Sequence, residues 1–176
     1  MNVLTVISFL VEPFDGGQRA AFSVTPLFDG VPLIRLVEDF ERTHQFDKIG
    51  GHAGIVPRNY RFGPLNCHFL PELFGEDLYG DWKITGRYLL GCNCGEVGCW
   101  PLTASISETD VVVTWDTFYQ PHLPSRDYSA FGPFHFDFDQ YREAVNEVAE
   151  QFYENDAEPR PKPVQRAIPY ICKIDL

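Results

Sequence analysis

The sequence predicts an α+β fold, mainly antiparallel sheet with two amphipathic helices. Apolar, β-branched runs bounded by turn residues recur along the chain, and two stretches instead repeat their apolar residues at helical spacing. The 14 Gly and 14 Pro scattered among them exclude an all-helical bundle. At 176 residues the chain reads as a single globular domain, 1–176, able to bury roughly 70% of its unfolded surface without disulfides or metal. A composition 44% hydrophobic and 15% aromatic supplies ample core and excludes disorder.

The elements follow in order. Val3–Val11 is apolar on both faces and β-branched, the pattern of a strand covered on both sides. Phe14-Asp15-Gly16-Gly17 turns the chain, and Ala20–Thr25 returns as the second arm of a hairpin. Asp29-Gly30 ends it, and Pro32 suits the first turn of a helix, where its missing N–H costs nothing. Leu33, Ile34, Leu36, Val37 and Phe40 form the apolar stripe of that helix, with Arg35, Glu38, Asp39 and Glu41 facing away. Gly50 to Gly80 shows no sustained period. A bare connection of about 30 residues is too long for a compact domain, so a short element is expected within it, with Leu65–Leu70 the candidate. Trp82–Leu90, Trp100–Ser107 and Val111–Tyr119 read as a three-strand meander, and 120–134 as a proline-bearing aromatic loop. Asp137 or Asp139 caps a second helix with the stripe Tyr141, Ala144, Val145, Val148, Ala149 and Phe152. Pro159, Pro161 and Pro163 end it, and Ile168, Tyr170, Cys172 and Ile174 alternate as a last strand.

The charge excludes whole classes of function. With 25 acidic against 14 basic residues the net charge is −11. An acidic chain without a basic run repels phosphate backbones and anionic membranes, whereas a basic protein or a cationic ligand is easily accommodated. No run approaches the ~20 apolar residues of a membrane span, and the start of the chain lacks the basic residues and cleavage site of a secretory signal. The expectation is a cytoplasmic protein whose five cysteines are reduced.

Three of those cysteines, Cys92, Cys94 and Cys99, fall within eight residues. If Cys94 and Cys99 flank a four-residue hairpin turn they face each other at about 4.5–5.5 Å between Cα atoms, which suits a disulfide or two metal ligands. Cys92 would share a strand face with Cys94 as a third ligand, and a fourth would come from Cys67 or His68. Gly95 and Gly98 leave room for N–H groups to approach the sulfurs. Against a structural zinc site, the spacings are C-x-C and C-x4-C rather than paired C-x2–4-C, and Glu96 opposes a reactive redox thiolate. The alternative is that the thiols are reduced and simply pack beside Trp100.

The string Cys92-x-Cys94-Gly95-Glu96-x-Gly98-Cys99-Trp100-Pro101 continues into Val-x-Trp115-x-x-Phe118, Gln120-Pro121-His122 and a Tyr-Ser-x-Phe-Gly-Pro-Phe run. It resembles a family of small uncharacterised bacterial proteins over about residues 25–150. The resemblance implies a bacterial cytosolic protein and assigns no catalytic role.

Aromatic and polar residues also crowd the span from Trp115 to Phe136. Trp115, Phe118, His122 and Tyr128 can line a small-ligand pocket. For catalysis His122 is the candidate acid or base, Asp127 the group that orients it and Arg126 an anion holder, although no G-x-S-x-G nucleophile turn accompanies them. The opposing reading makes the rings core and has His122 and Asp127 bond the loop backbone. Gly50-Gly51-His52-Ala53-Gly54 lacks the strand–helix context of a phosphate cradle and reads as a loop. Glu143, Glu147, Glu150 and Glu154 line one face of the second helix, either a solvated surface or a landing for a basic partner.

These features rank a non-catalytic binding or interaction protein first, its ligand a small molecule or a protein. A zinc-binding or redox protein using the cysteine turn, and a hydrolase centred on His122, are the alternatives.

Overall fold

The computed structural model describes residues 3–14, 21–57 and 86–155. They form an α+β fold, mostly antiparallel sheet. β1 (Ile7–Phe14), β2 (Ala21–Phe28) and β3 (Val31–Pro32) make a three-stranded sheet in that order. β4 (His52–Ala53), β5 (Arg87–Cys92), β6 (Leu102–Glu108), β7 (Val112–Tyr119) and β8 (Phe134–Asp137) make a five-stranded one. The helices are α1 (Leu33–Thr43) and α2 (Phe138–Asn155).

The two arms of the expected hairpin pair, with Ile7 opposite Phe28 and Phe14 opposite Ala21, while residues 15–20 of its turn lie outside the described residues. The pattern misjudged its start. Val3, Leu4 and Val6 are exposed, and the ladder begins only at Ile7, which is fully buried. Among the described residues no second apolar layer covers those first positions, so an all-apolar run did not mean burial on both faces. The Asp29-Gly30 turn has positive φ at both residues, 49° and 79°. Pro32 then precedes α1 rather than opening it, its φ of −57° and ψ of 132° being extended.

The meander β5-β6-β7 has the expected order, with β6 beginning at Leu102 rather than Trp100 and residues 82–85 of the first expected strand outside the described residues. Two bulges set what it buries. Between Thr103 and Ser105 of β6, β7 spends one extra residue, from Tyr119 to Asp116. The bulged stretch includes Thr117 at φ 50°. An added residue reverses the two-residue alternation, so Phe118 joins Trp115 and Val113 on the buried face. A second irregularity, between Tyr88 and Leu90, falls where Tyr88, Leu89 and Leu90 are all buried.

β4 and β8 went unseen in the sequence because each is too short to show an alternation of its own. Asp137 caps α2: its Oδ1 accepts the Gln140 N–H at 3.0 Å. The six residues of the predicted α2 stripe are all buried, in one core with Ile7, Val24 and Phe28 from the first sheet and Leu90, Leu102, Trp115 and Phe136 from the second. Two backbone hydrogen bonds between Val24 and Ile55, 2.7 and 2.9 Å, tie β2 to the segment just after β4. The Gln140 side chain ties α2 to β1, donating to the Ile7 carbonyl at 2.6 Å and accepting its N–H at 3.2 Å. The predicted element at Leu65–Leu70, the proline link and the last strand at Ile168–Ile174 lie outside the described residues.

Candidate metal centre at the cysteine turn

The turn is built from backbone groups. β5 ends at Cys92 and β6 does not begin until Leu102, so Cys94 sits in the turn itself rather than on a strand opposite Cys99. Gly95, at φ 91°, takes a conformation that L side chains resist, and its N–H closes on the Cys92 carbonyl at 2.9 Å. Val97–Cys99 then forms a single 3-10 turn. The Glu96 carbonyl accepts two N–H groups, from Cys92 at 3.3 Å and from Cys99 at 3.2 Å. One oxygen thus gathers the backbones of both cysteines, and that contact brings their side chains together.

The three sulfurs lie within 4.8 Å of one another. All three cysteines are free thiols, Cys92 buried and Cys94 and Cys99 exposed. The Cys94 N–H points to the Cys92 sulfur at 3.5 Å, and the Cys92 thiol reaches Asn93 Oδ1 at 3.6 Å. Burial pushes the Cys92 thiol up to about 11. Cys94 moves the other way: hydrogen bonds from the Cys92 thiol and the Glu96 N–H stabilise its thiolate and hold it below the ordinary thiol value. The cluster therefore holds one thiol that burial makes harder to deprotonate and one that its neighbours make easier to deprotonate.

A buried polar network supports the turn from below. Asn93 N–H donates to the Gly51 carbonyl at 3.1 Å, and His52 of β4 pairs with Cys92 of β5. The Trp100 indole N–H donates to the Gly50 carbonyl at 2.9 Å, while its own carbonyl lies 3.2 Å from His52 Nδ1. Lys48 stands over the Trp100 ring, 3.9 Å from its centroid. At the centre is Glu41, expected on the solvent face of α1 but completely buried. Its Oε2 accepts the Gly50 N–H at 2.7 Å. Its Oε1 accepts Arg126 Nη1 at 3.1 Å and the Tyr128 hydroxyl at 2.6 Å, with His52 Nε2 at 3.5 Å. Burial pushes the Glu41 carboxyl up, and the bonds from His52, Tyr128 and Gly50 reverse this, leaving it below the ordinary carboxylate value. One signal in the sequence was available: Glu41 continues the four-residue row Leu33, Val37, both fully buried.

The residues singled out in the aromatic loop take other places. Trp115, Phe118 and Tyr128 are buried in the core. Trp115 stacks edge-on with Phe28 and donates its N–H to the Tyr141 hydroxyl at 3.1 Å. Phe118 packs on Phe131 and Phe134, and Tyr128 lies flat against Phe40. Arg126 is 7% exposed and engaged with Glu41, Asp47 and the Lys48 carbonyl. Asp127, on the surface, accepts the Ser129 N–H at 2.8 Å rather than orienting His122. His122 is exposed, and its Nε2 bonds the Gly98 carbonyl of the cysteine turn. The loop therefore meets the backbone of the cysteine turn through its histidine. Cys67 and His68 lie outside the described residues.

Comparison of the chain with known protein families, with curated proteins and with solved structures finds no match. Among the described residues, no helix is long and apolar enough to cross a membrane.

Proposed function

We propose that this protein binds a soft divalent metal ion, zinc foremost, through the thiolates of Cys92, Cys94 and Cys99. The observation that carries the reading is the convergence of three sulfurs within 4.8 Å on a backbone-braced turn. Zn–S bonds near 2.3 Å in a tetrahedral site separate neighbouring sulfurs by about 3.8 Å. The cluster thus needs a contraction of about 1 Å or less to close on an ion. Thiolate ligands select Zn2+ and other soft ions over Mg2+ or Ca2+.

On this reading the chain is a non-catalytic binding module. Arg126 and Asp127, the partners that His122 would need as an enzyme, are committed to Glu41 and to Ser129. A reducing compartment, the cytoplasm, keeps the thiols available for metal. The exposed Glu143, Glu147 and Glu150 on α2 suit a basic protein partner better than nucleic acid.

The test is elemental analysis of protein purified without chelator, followed by Co2+ titration. The expectation is one metal ion per chain, with thiolate-to-cobalt charge-transfer absorption that each of C92S, C94S and C99S weakens. Less than roughly 0.2 ion per chain, no cobalt uptake, and freely titrating thiols would end the proposal.

A further inference from the structure

We propose that His122 is the fourth ligand of the metal centre, completing a set of three thiolates and one imidazole with Cys92, Cys94 and Cys99. The inference rests on the metal reading above and adds the loop after β7 to the site. Three protein sulfurs leave one position of a tetrahedron open, and structural zinc sites fill it with a fourth cysteine or an imidazole.

Two observations favour His122 for that position. Its Nε2 bonds the Gly98 carbonyl, on the peptide that leads into Cys99, and joins the three grouped sulfurs only by turning away from that carbonyl. The ring is on the solvent side, with the two exposed sulfurs of Cys94 and Cys99, and can turn without disturbing the core.

The loop that carries the histidine is pinned from inside. Gln120, fully buried, accepts the His122 N–H at 2.6 Å and the Leu123 N–H at 3.1 Å through one side-chain oxygen. This fixes the backbone and leaves the imidazole to swing. To ligate, Nε2 exchanges the Gly98 carbonyl for the ion and offers its lone pair. The proton it donated to that carbonyl passes to solvent or reappears on Nδ1.

Two measurements on the full chain test this. The first is 15N NMR of the imidazole nitrogens during Zn2+ addition to wild-type protein, where His122 Nε2 should shift to the metal-bound range. The second is Co2+ binding by H122A. Its affinity should fall, by chelator competition, at least as far as loss of an outer-shell partner would lower it, about 10- to 100-fold. Its d–d bands should change from those of three sulfurs with one nitrogen to those of three sulfurs with one oxygen, and added imidazole should restore them. Rescue by free imidazole distinguishes a ligand from a residue that merely steadies the turn. Unchanged Nε2 resonances together with H122A affinity and spectra matching wild type would overturn His122 as ligand while leaving the thiolate site intact. The same follows if C67S or H68A, and not H122A, alters the cobalt spectrum. Failure of wild-type protein to take up Co2+ at all would sink the metal reading itself, and this inference with it.

Discussion

The carboxylate of Glu41 and the guanidinium of Arg126 stand 85 residues apart in sequence and 3.1 Å apart in space, both closed off from solvent. The pair joins α1 to the loop after β7, the loop that also presents His122. Burying two charges costs several kcal/mol per ion, and that cost is offset only when their remaining hydrogen-bonding groups are met. Glu41 achieves this with donors from Gly50, Tyr128 and Arg126. The two terminal nitrogens of Arg126 also reach Asp47 and the Lys48 carbonyl, while its buried Nε has no hydrogen-bond partner among the described residues. The Arg126 guanidinium also lies over the rings of Phe46 and Trp100. The floor of the cysteine turn is thus held by electrostatics as well as by packing.

Removing the Glu41 charge leaves the buried Arg126 with only the exposed Asp47 carboxylate to balance it. E41Q keeps the shape but not the charge, and should lower unfolding free energy by about 3–5 kcal/mol, read from urea denaturation. Replacing both partners by apolar residues, as in E41L with R126M, should recover part of that loss. A change below about 0.5 kcal/mol for E41Q, the range of ordinary surface substitutions, would show the pair to be energetically idle.

The same carboxylate sets a pH dependence. Its folded-state value lies below the ordinary one, so the unfolded chain takes up the proton first as pH falls. The stabilisation is complete above the unfolded value of about 4.3 and is lost as pH drops through the lower folded value. Urea midpoints from about pH 6 down to about pH 3 should fall more steeply for wild type than for E41Q. Parallel curves would count against Glu41 as the source.

Gly54 lies against the bridge between Val24 of β2 and Ile55. A Cβ added there would approach the Val24 carbonyl oxygen to 2.8 Å and crowd Thr25 Oγ1. Because the nearest backbone must move, G54A should strain the Val24–Ile55 hydrogen bonds and destabilise by about 1–3 kcal/mol. Amide exchange at Val24 and Ile55 should accelerate in the variant. Unchanged protection at those two sites would mean that the bridge can yield freely.

Metal uptake should release protons. Cys92, raised to about 11 by burial, carries its proton at neutral pH, and a thiol must lose it to ligate. Apparent Zn2+ affinity should therefore rise with pH between about 6 and 8, by roughly one to three decades per unit according to how many thiols deprotonate. In N93A, which lacks the Asn93 carbonyl that Cys92 faces, the affinity should change while the slope persists. A flat profile would exclude Cys92 as a ligand.

Periodicity made much of this fold legible. The α2 stripe, the hairpin and the meander announce themselves because each buries one face against a broad partner. β4 and β8 do not, being two and four residues long. They exist because the neighbouring strands β5 and β7 offer unsatisfied edges. Glu41 was misplaced for a related reason: on a helical wheel an acidic residue belongs to solvent unless a guanidinium arrives from elsewhere. The bulge at Thr117 was equally hidden, yet it decides that Phe118 faces inward beside Trp115.

The candidate site divides the same way. Clustering of Cys92, Cys94 and Cys99 is written in the sequence, because residues so close along a chain cannot be far apart in space. The aromatic loop is also visible there, but whether its rings line a cavity or fill the core depends on which sheet covers them.

The sequence by itself determined the fold class and the nearness of three sulfurs, since both depend on short-range pattern and covalent connection. Only the tertiary structure decided that Glu41 is buried, that Arg126 meets it, and that His122 reaches Gly98 from a loop 24 residues away. Those contacts join segments whose separation along the chain carries no signal. They form because packing two sheets and two helices around one core leaves polar groups that must find partners across it.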